Sequence, residues 1–258
     1  MKKQREKTSR TFRVIRWLVW LFSPKMKVEG VEHLPDEPVI MVGNHCQMGG
    51  PIACELYAPG DHAIWCAHQM MEWKEVHGYA FQDFWSQKPK RVHWFYKLLS
   101  YLITPLSVCV FNNAGTIPVY RDMRLMTTFK ATISALSEGK HVVVFPEHDE
   151  IGNHIVNGFQ DKFIDVAKLY YKRTGKEVCF VPLYIAPRLN KMVLGVPVRF
   201  QADVPIEEQR QQICSAMFRG VTDLALAQPK HRVITYRKPN GRPYPFNVEE
   251  ASCEKTSC

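Results

Sequence analysis

The sequence predicts an α/β fold with a mainly parallel central sheet flanked by helices. Three observations predict it. Short apolar runs of strand length recur along the 258 residues, several of them ending at Gly or Pro. Between them lie stretches whose apolar residues return at helical spacing. The two kinds of segment alternate, and strands that alternate with helices build a parallel layer.

The elements follow in order. Lys2, Lys3, Arg5, Lys7, Arg10, Arg13 and Arg16 run into the apolar stretch from Trp17 to Phe22. That stretch is far too short to cross a bilayer, which needs roughly 20 residues. A basic helix with tryptophans at its apolar end suits the headgroup region, so residues 1–24 are expected to form an amphipathic membrane-association segment. The stretches 38–43 and 63–67 read as buried strands. Trp94 to Phe111 would be about 27 Å long as a helix, close to the hydrocarbon thickness. It carries Lys97, Ser100, Thr104, Ser107 and the helix-disrupting Pro105, so a buried or half-submerged helix is expected rather than a crossing.

Leu125, Met126, Phe129, Ile133 and Leu136 predict a helix over 122–138, stopped at Gly139. A strand follows over 141–145. Phe159, Phe163, Val166, Ala167 and Tyr170 predict a second helix ending near Gly175. Residues 178–185 and 192–200 read as strands, and 206–227 as a polar helix. The working domain is therefore expected over 25–228. Beyond it, residues 229–258 are rich in proline and charge and are expected to be a loosely ordered tail.

Composition narrows the function classes. Hydrophobic residues make up 46% and charged residues 23%, enough for a substantial core. The net charge of +9 favours anionic partners: phosphate-bearing small molecules, acidic lipid surfaces or nucleic acid. The basic residues concentrate at the two ends and no nucleic-acid motif occurs, so nucleic acid is not expected as a partner. None of the eight cysteines forms a C-x-x-C pair, so a zinc site of the usual spacing is not expected. Free thiols and the lack of a cleavable signal suit the cytoplasmic face of a membrane.

Four short segments lie at or just beyond strand ends, where open α/β sheets bind ligands. They are Asn44-His-Cys-Gln-Met-Gly-Gly-Pro51, Gly115-Thr-Ile-Pro-Val-Tyr-Arg121, Phe145-Pro-Glu-His148 and Val181-Pro-Leu183. In this order and spacing the chain resembles the PlsC-like glycerol-phosphate and lysophospholipid acyltransferases. Their pattern reads N-H-x-x-x-x-D, then G-x-I-P-V-x-R, F-P-E-G and V-P. The stretch from Gly30 to Pro35 resembles the family's lead-in, and the likeness covers roughly residues 25 to 200.

The resemblance implies acyl transfer from a thioester, acyl-CoA or acyl-carrier protein as co-substrate, to a hydroxyl of glycerol-3-phosphate or a lysophospholipid. No metal or tightly bound cofactor is implied. His45 maps onto the general base, since an imidazole with a pKa near 6.5 can take the hydroxyl proton at neutral pH. Arg121 maps onto the phosphate-binding arginine, with Gly115 and Thr116 lining the approach. Glu147 maps onto an acceptor-binding carboxylate. Outside the motif, Arg121 would read as a surface ion-pair partner, Glu147 as a helix-entry carboxylate and His45 as a structural histidine. A Cys46–His45 nucleophile pair is not expected, because neighbours on an extended segment point opposite ways.

One departure bears on chemistry. The family's aspartate falls at position 50, which is Gly50 here. Such an acid fixes the tautomer and orientation of the imidazole, and amidating its counterpart in serine proteases costs on the order of 10⁴ in rate. The third segment departs too, with His148 in place of glycine and Asp149 and Glu150 following. Glu147, Asp149 or Glu150 are therefore the expected replacement acids, with Glu55 a weaker one. The competing expectation is a relative with little turnover that binds lipid or acyl chains.

Overall fold

The computed structural model describes residues 9–86, 88–148, 155–237 and 243–248. In chain order the elements are α1 (Arg10–Phe22), β1 (Lys27–Glu29), β2 (Val39–Gly43), α2 (Gly49–Tyr57), β3 (His62–Ala67), α3 (Trp73–Ala80), α4 (His93–Phe111) and β4 (Thr116–Val119). There follow α5 (Leu125–Ser137), β5 (His141–Val144), α6 (Asp165–Thr174), β6 (Cys179–Ala186), β7 (Lys191–Leu194), β8 (Val198–Arg199) and α7 (Ile206–Leu226). The fold is α/β, with a mainly parallel central sheet flanked by helices. The chain divides into two compact units, Met1–Pro24 with Gly60–Val143, and Lys25–Pro59 with Val144–Cys258.

In the first unit, β3 lies between β5 and β4, all parallel. Helix α5 packs on this layer through Phe129, Ile133 and Leu136, all buried. Thr128 and Thr132 face the same way and are hydrogen-bonded. The Thr128 hydroxyl donates to the Pro118 carbonyl at 2.8 Å, and the Trp65 indole donates to the Thr132 hydroxyl at 2.9 Å. Each buried hydroxyl thus replaces its lost water, which is what makes a polar residue tolerable in a core.

Helix α4 inverts the usual pattern. Its buried residues are Ser100, Thr104 and Ser107. Ser107 donates to the Met70 carbonyl at 2.9 Å, and Thr104 back-bonds to Ser100. The outward face carries Trp94, Leu98, Tyr101, Leu102 and Leu106, with Trp94 69% and Leu102 66% exposed. These recur at helical spacing, so the helix presents one apolar stripe to its surroundings. Helix α1 starts at Ser9, whose side chain accepts from the Phe12 amide. The Ser9 amide in turn donates to Asn113 Oδ1 at 3.0 Å, just past the C-terminal end of α4. Phe12 is buried, while Val14, Trp17, Leu18 and Leu21 are exposed. Among the described residues, Lys90–Phe111 is the one helical stretch long and apolar enough to cross a membrane.

In the second unit the strands run in the order β1, β7, β6, β2. The outer pairs are parallel, and β6 meets β7 antiparallel. β2 and β6 are buried along their whole length, so both read as unbroken apolar runs rather than alternations. Pro182 sits inside β6, opposite Val42. Its ring fits because two glycines face it: a Cβ on Gly195 or on Gly220 would come within 2.8 Å of Pro182 Cγ.

The expected strand over 192–200 is split into β7 and β8, both antiparallel to β6, with Gly195 and Pro197 between them. The helix expected from Phe159 begins only at Asp165, because Phe159 forms an antiparallel bridge with Glu147. Helices α2 and α3 were not expected.

Beyond residue 228 the chain makes specific contacts. The Val233 amide donates to the Pro245 carbonyl at 2.8 Å, and the Asn247 amide to the His231 carbonyl at 3.1 Å. The buried Asn247 side chain donates to the carbonyls of Ala225 and Gln228, covering the C-terminal end of α7. His231 Nδ1 bonds the Pro229 carbonyl, which leaves Nε2 to accept the Tyr184 hydroxyl proton across 2.8 Å. Residues 249–258, including Cys253 and Cys258, lie outside the described residues, as do Lys2, Lys3, Arg5 and Lys7.

Candidate active site

Three of the four motif segments belong to the second unit, and there they meet. β2 ends at Gly43, and Asn44 follows, almost wholly buried. Its side-chain oxygen accepts from the Ile185 amide at 2.7 Å, and its nitrogen donates to the Ile185 carbonyl at 3.0 Å. Asn44 therefore continues the β2–β6 ladder by one step with side-chain atoms. That fixes the point at which the chain turns and His45 begins.

His45 is half-buried at the C-terminal end of β2. Its amide donates to Glu147 Oε1 at 2.6 Å, while Glu147 Oε2 accepts from the Asn157 amide at 3.0 Å. The buried Glu147 thus straps the His45 main chain to the segment around residue 157. Burial pushes its carboxyl up to about 7, against the two amide donors, which favour the charged form. The imidazole itself is flanked by two rings. Phe145 lies at 5.3 Å between centroids and Tyr236 at 4.4 Å, each inclined by 63°. Such edge-to-face contacts restrict how a ring can turn.

After His45 the backbone folds sharply. Cys46 and Gln47 both take left-handed conformations, with φ of 48° and 55°, and neither is a glycine. Strain of this kind collects at sites the surrounding structure over-determines. The Gly49 amide then bonds the Cys46 carbonyl, and the Gly50 amide the His45 carbonyl at 3.1 Å. The turn leaves no space at position 50. A Cβ there would stand 2.3 Å from the His45 carbonyl oxygen and 3.0 Å from that of Asn44. A side chain at position 50 is thus excluded by the present backbone.

Cys46 Sγ is 2.8 Å from Asn44 Nδ2 and donates to the Ile185 carbonyl at 3.3 Å. Burial holds its thiol well above the ordinary range. A thiol kept protonated and tied to main chain is a packing residue. Of the expected replacement acids, Glu147 grips the His45 amide. Asp149 and Glu150 lie outside the described residues, and Glu55 lies within α2. His148 is exposed and its amide bonds the Gly158 carbonyl.

The remaining motif segment belongs to the first unit. Gly115 has φ of +64°, with the His62 carbonyl oxygen 3.6 Å from where a Cβ would be. Thr116 opens β4, its hydroxyl turned to the Phe111 carbonyl. Arg121 is exposed just past β4. Its neighbour Arg124 pairs with Asp122 at 2.8 Å, stacks on Tyr120, and holds the Asp122 carboxyl down at about 2.

Among the described residues, His68, Glu72 and Glu75 could hold a metal ion, with donor atoms within 4.8 Å of one another. The Arg124 guanidinium stands 3.4 Å from His68 Nε2, so a second cation there would meet like charge.

Tyr236 is the member of the site that sequence reasoning missed. It lies in the stretch read as tail, and no motif marks it. The alternation of Val233, Thr235 and their neighbours was the one local signal available.

No protein-family model matches the chain, and no curated protein matches it by sequence. Among solved structures, the chain is similar to the 1-acyl-sn-glycerophosphate (LPA) acyltransferase PlsC from Thermotoga maritima. Identity is 18%, the match covers 87% of this chain and 84% of that one, and the TM-score is 0.46.

Proposed function

We propose that the protein is an acyltransferase that moves a fatty-acyl group from a thioester donor to a hydroxyl of glycerol-3-phosphate or a lysophospholipid. The observation that carries this reading is the meeting of Asn44-His45 with Phe145-Pro146-Glu147 at the C-terminal end of β2. In this mechanism the imidazole of His45 takes the acceptor hydroxyl proton as the oxygen attacks the thioester carbonyl. The tetrahedral intermediate then expels the thiolate, which takes up the proton. Arg121, with Gly115 and Thr116, serves the acceptor phosphate, for which a planar cation is suited. Glu147 acts through the His45 main chain, and acyl-CoA or acyl-carrier protein is co-substrate rather than cofactor.

The working surface in this reading is an anionic membrane on its cytoplasmic side. Support comes from α4, which buries hydroxyls and turns indole, leucine and tyrosine outward, the reverse of a helix adapted to water. Arg10, Arg13 and Arg16 are exposed beside the apolar stripe of α1, where they suit acidic headgroups.

Gly50 favours a second reading, a lipid-binding relative without turnover. The test is mass-spectrometric assay of acyl transfer to glycerol-3-phosphate and a panel of lysophospholipids, with acyl-CoA and carrier-protein donors. Wild type is expected to give product and His45→Ala to lose it by on the order of 10³-fold. Absence of product from wild type with every pair supports the second reading.

A further inference from the structure

We propose that Tyr236 is the positioning residue for the His45 imidazole, so that the segment beyond α7 completes the site from which the first motif has lost its aspartate. This rests on His45 being the base.

The usual supporting position is closed. No side chain fits at Gly50, where a Cβ would lie 2.3 Å from the carbonyl oxygen of His45 itself. Glu147 has each oxygen on a main-chain amide, of His45 and of Asn157, so its bonds hold the backbone from which the ring projects. The ring's own orientation is met by aromatic neighbours. Phe145 arrives at the end of β5, and Tyr236 stands nearer, at 4.4 Å between centroids. A ring wedged in this way is restricted in its rotation about χ2.

Tyr236 is held in place by its own segment. The Thr235 hydroxyl donates to the Arg237 carbonyl, and the Val233 amide bonds Pro245. The segment is also fastened to the turn that carries the base: Gln47 Nε2 donates to the Tyr244 hydroxyl at 2.8 Å, two residues from His45. That bond uses one of the two left-handed residues, so the strained turn and the C-terminal segment stabilise each other. A tyrosine supplies orientation and not a formal charge. Tyr236 therefore serves the geometric part of the aspartate's role.

The test uses the full chain carrying Tyr236→Phe, Tyr236→Leu or Tyr236→Ala. For acyl transfer, Tyr236→Ala and Tyr236→Leu are expected to lower kcat by about 10- to 100-fold at little-changed KM. Tyr236→Phe should restore it. Independently of turnover, the ring current of Tyr236 displaces the His45 Hε1 resonance in histidine-labelled protein, assigned by its absence in His45→Ala. That displacement should survive in Tyr236→Phe and collapse in Tyr236→Leu. Wild-type kcat in the leucine and alanine variants, or an unmoved His45 resonance, would overturn the proposal. If wild type gives no product, the acyl-transfer reading falls, and the resonance alone decides whether Tyr236 sets the imidazole.

Discussion

At Gly50 what the turn can accommodate is decided by space. If the position merely lacked an acid, Gly50→Asp would restore activity and Gly50→Ala would be inert. The clash belongs to the Cβ, so both substitutions force the backbone of the turn aside. Both are expected to destabilise by about 1–3 kcal/mol, and the aspartate should not raise turnover. Urea unfolding and the acyl-transfer assay on the pair check this. Glu147 raises a different matter, since its carboxyl titrates near 7 in the folded protein against an ordinary value of 4.5. The folded state therefore binds the proton that the unfolded state has released between those values, and stability falls as pH rises through that window, then levels off. Glu147→Gln should flatten the fall. Its loss relative to wild type, from an amide nitrogen that cannot accept from a main-chain N–H, should therefore be largest at low pH and shrink as pH rises through the window. Unfolding curves from pH 4 to 8 measure the difference, and an unchanged slope would mean that Glu147 stays ionised throughout.

Helix α4 shows what an element reveals once its two faces are separated. Its composition suggests core, yet Leu98 and Leu102 are 53% and 66% exposed while hydroxyls line the inside. For most helices, exchanging exposed leucine for serine relieves an apolar patch and changes stability by less than about 0.5 kcal/mol. Here Leu98→Ser with Leu102→Ser is expected to leave the unfolding midpoint in place and to weaken binding to anionic vesicles by at least about tenfold, given roughly 1.5–3 kcal/mol for each fully buried leucine. Vesicle sedimentation at two salt concentrations checks it. Retained binding would move the contact to α1, whose exposed arginines make the salt dependence steeper.

For the molecule as a whole, the sequence disclosed what short-range pattern controls. β2, β5 and β6 are legible because strands buried on both faces read as apolar runs, and α5 because five apolar residues keep its period. The outward turn of α4 is not legible, since periodicity gives a face but not the solvent it meets. Nor is the left-handed pair Cys46–Gln47, which no Gly or Asn announces. Asn44 and Glu147 were marked by motif, but their bonds to Ile185 and Asn157 join distant parts of the chain. Tyr236 is not legible either, because the proline and charge around it carry no periodic pattern.

The seat of Pro182 has a historical consequence. Two positions far apart in sequence, 195 and 220, must remain without side chains for as long as a pyrrolidine ring lies between them. A lineage could therefore not have acquired the proline before both sites were bare, and cannot refill either one while keeping it. The three positions should drift together or not at all, so that Val-Pro in the strand comes to mark a commitment made elsewhere in the chain.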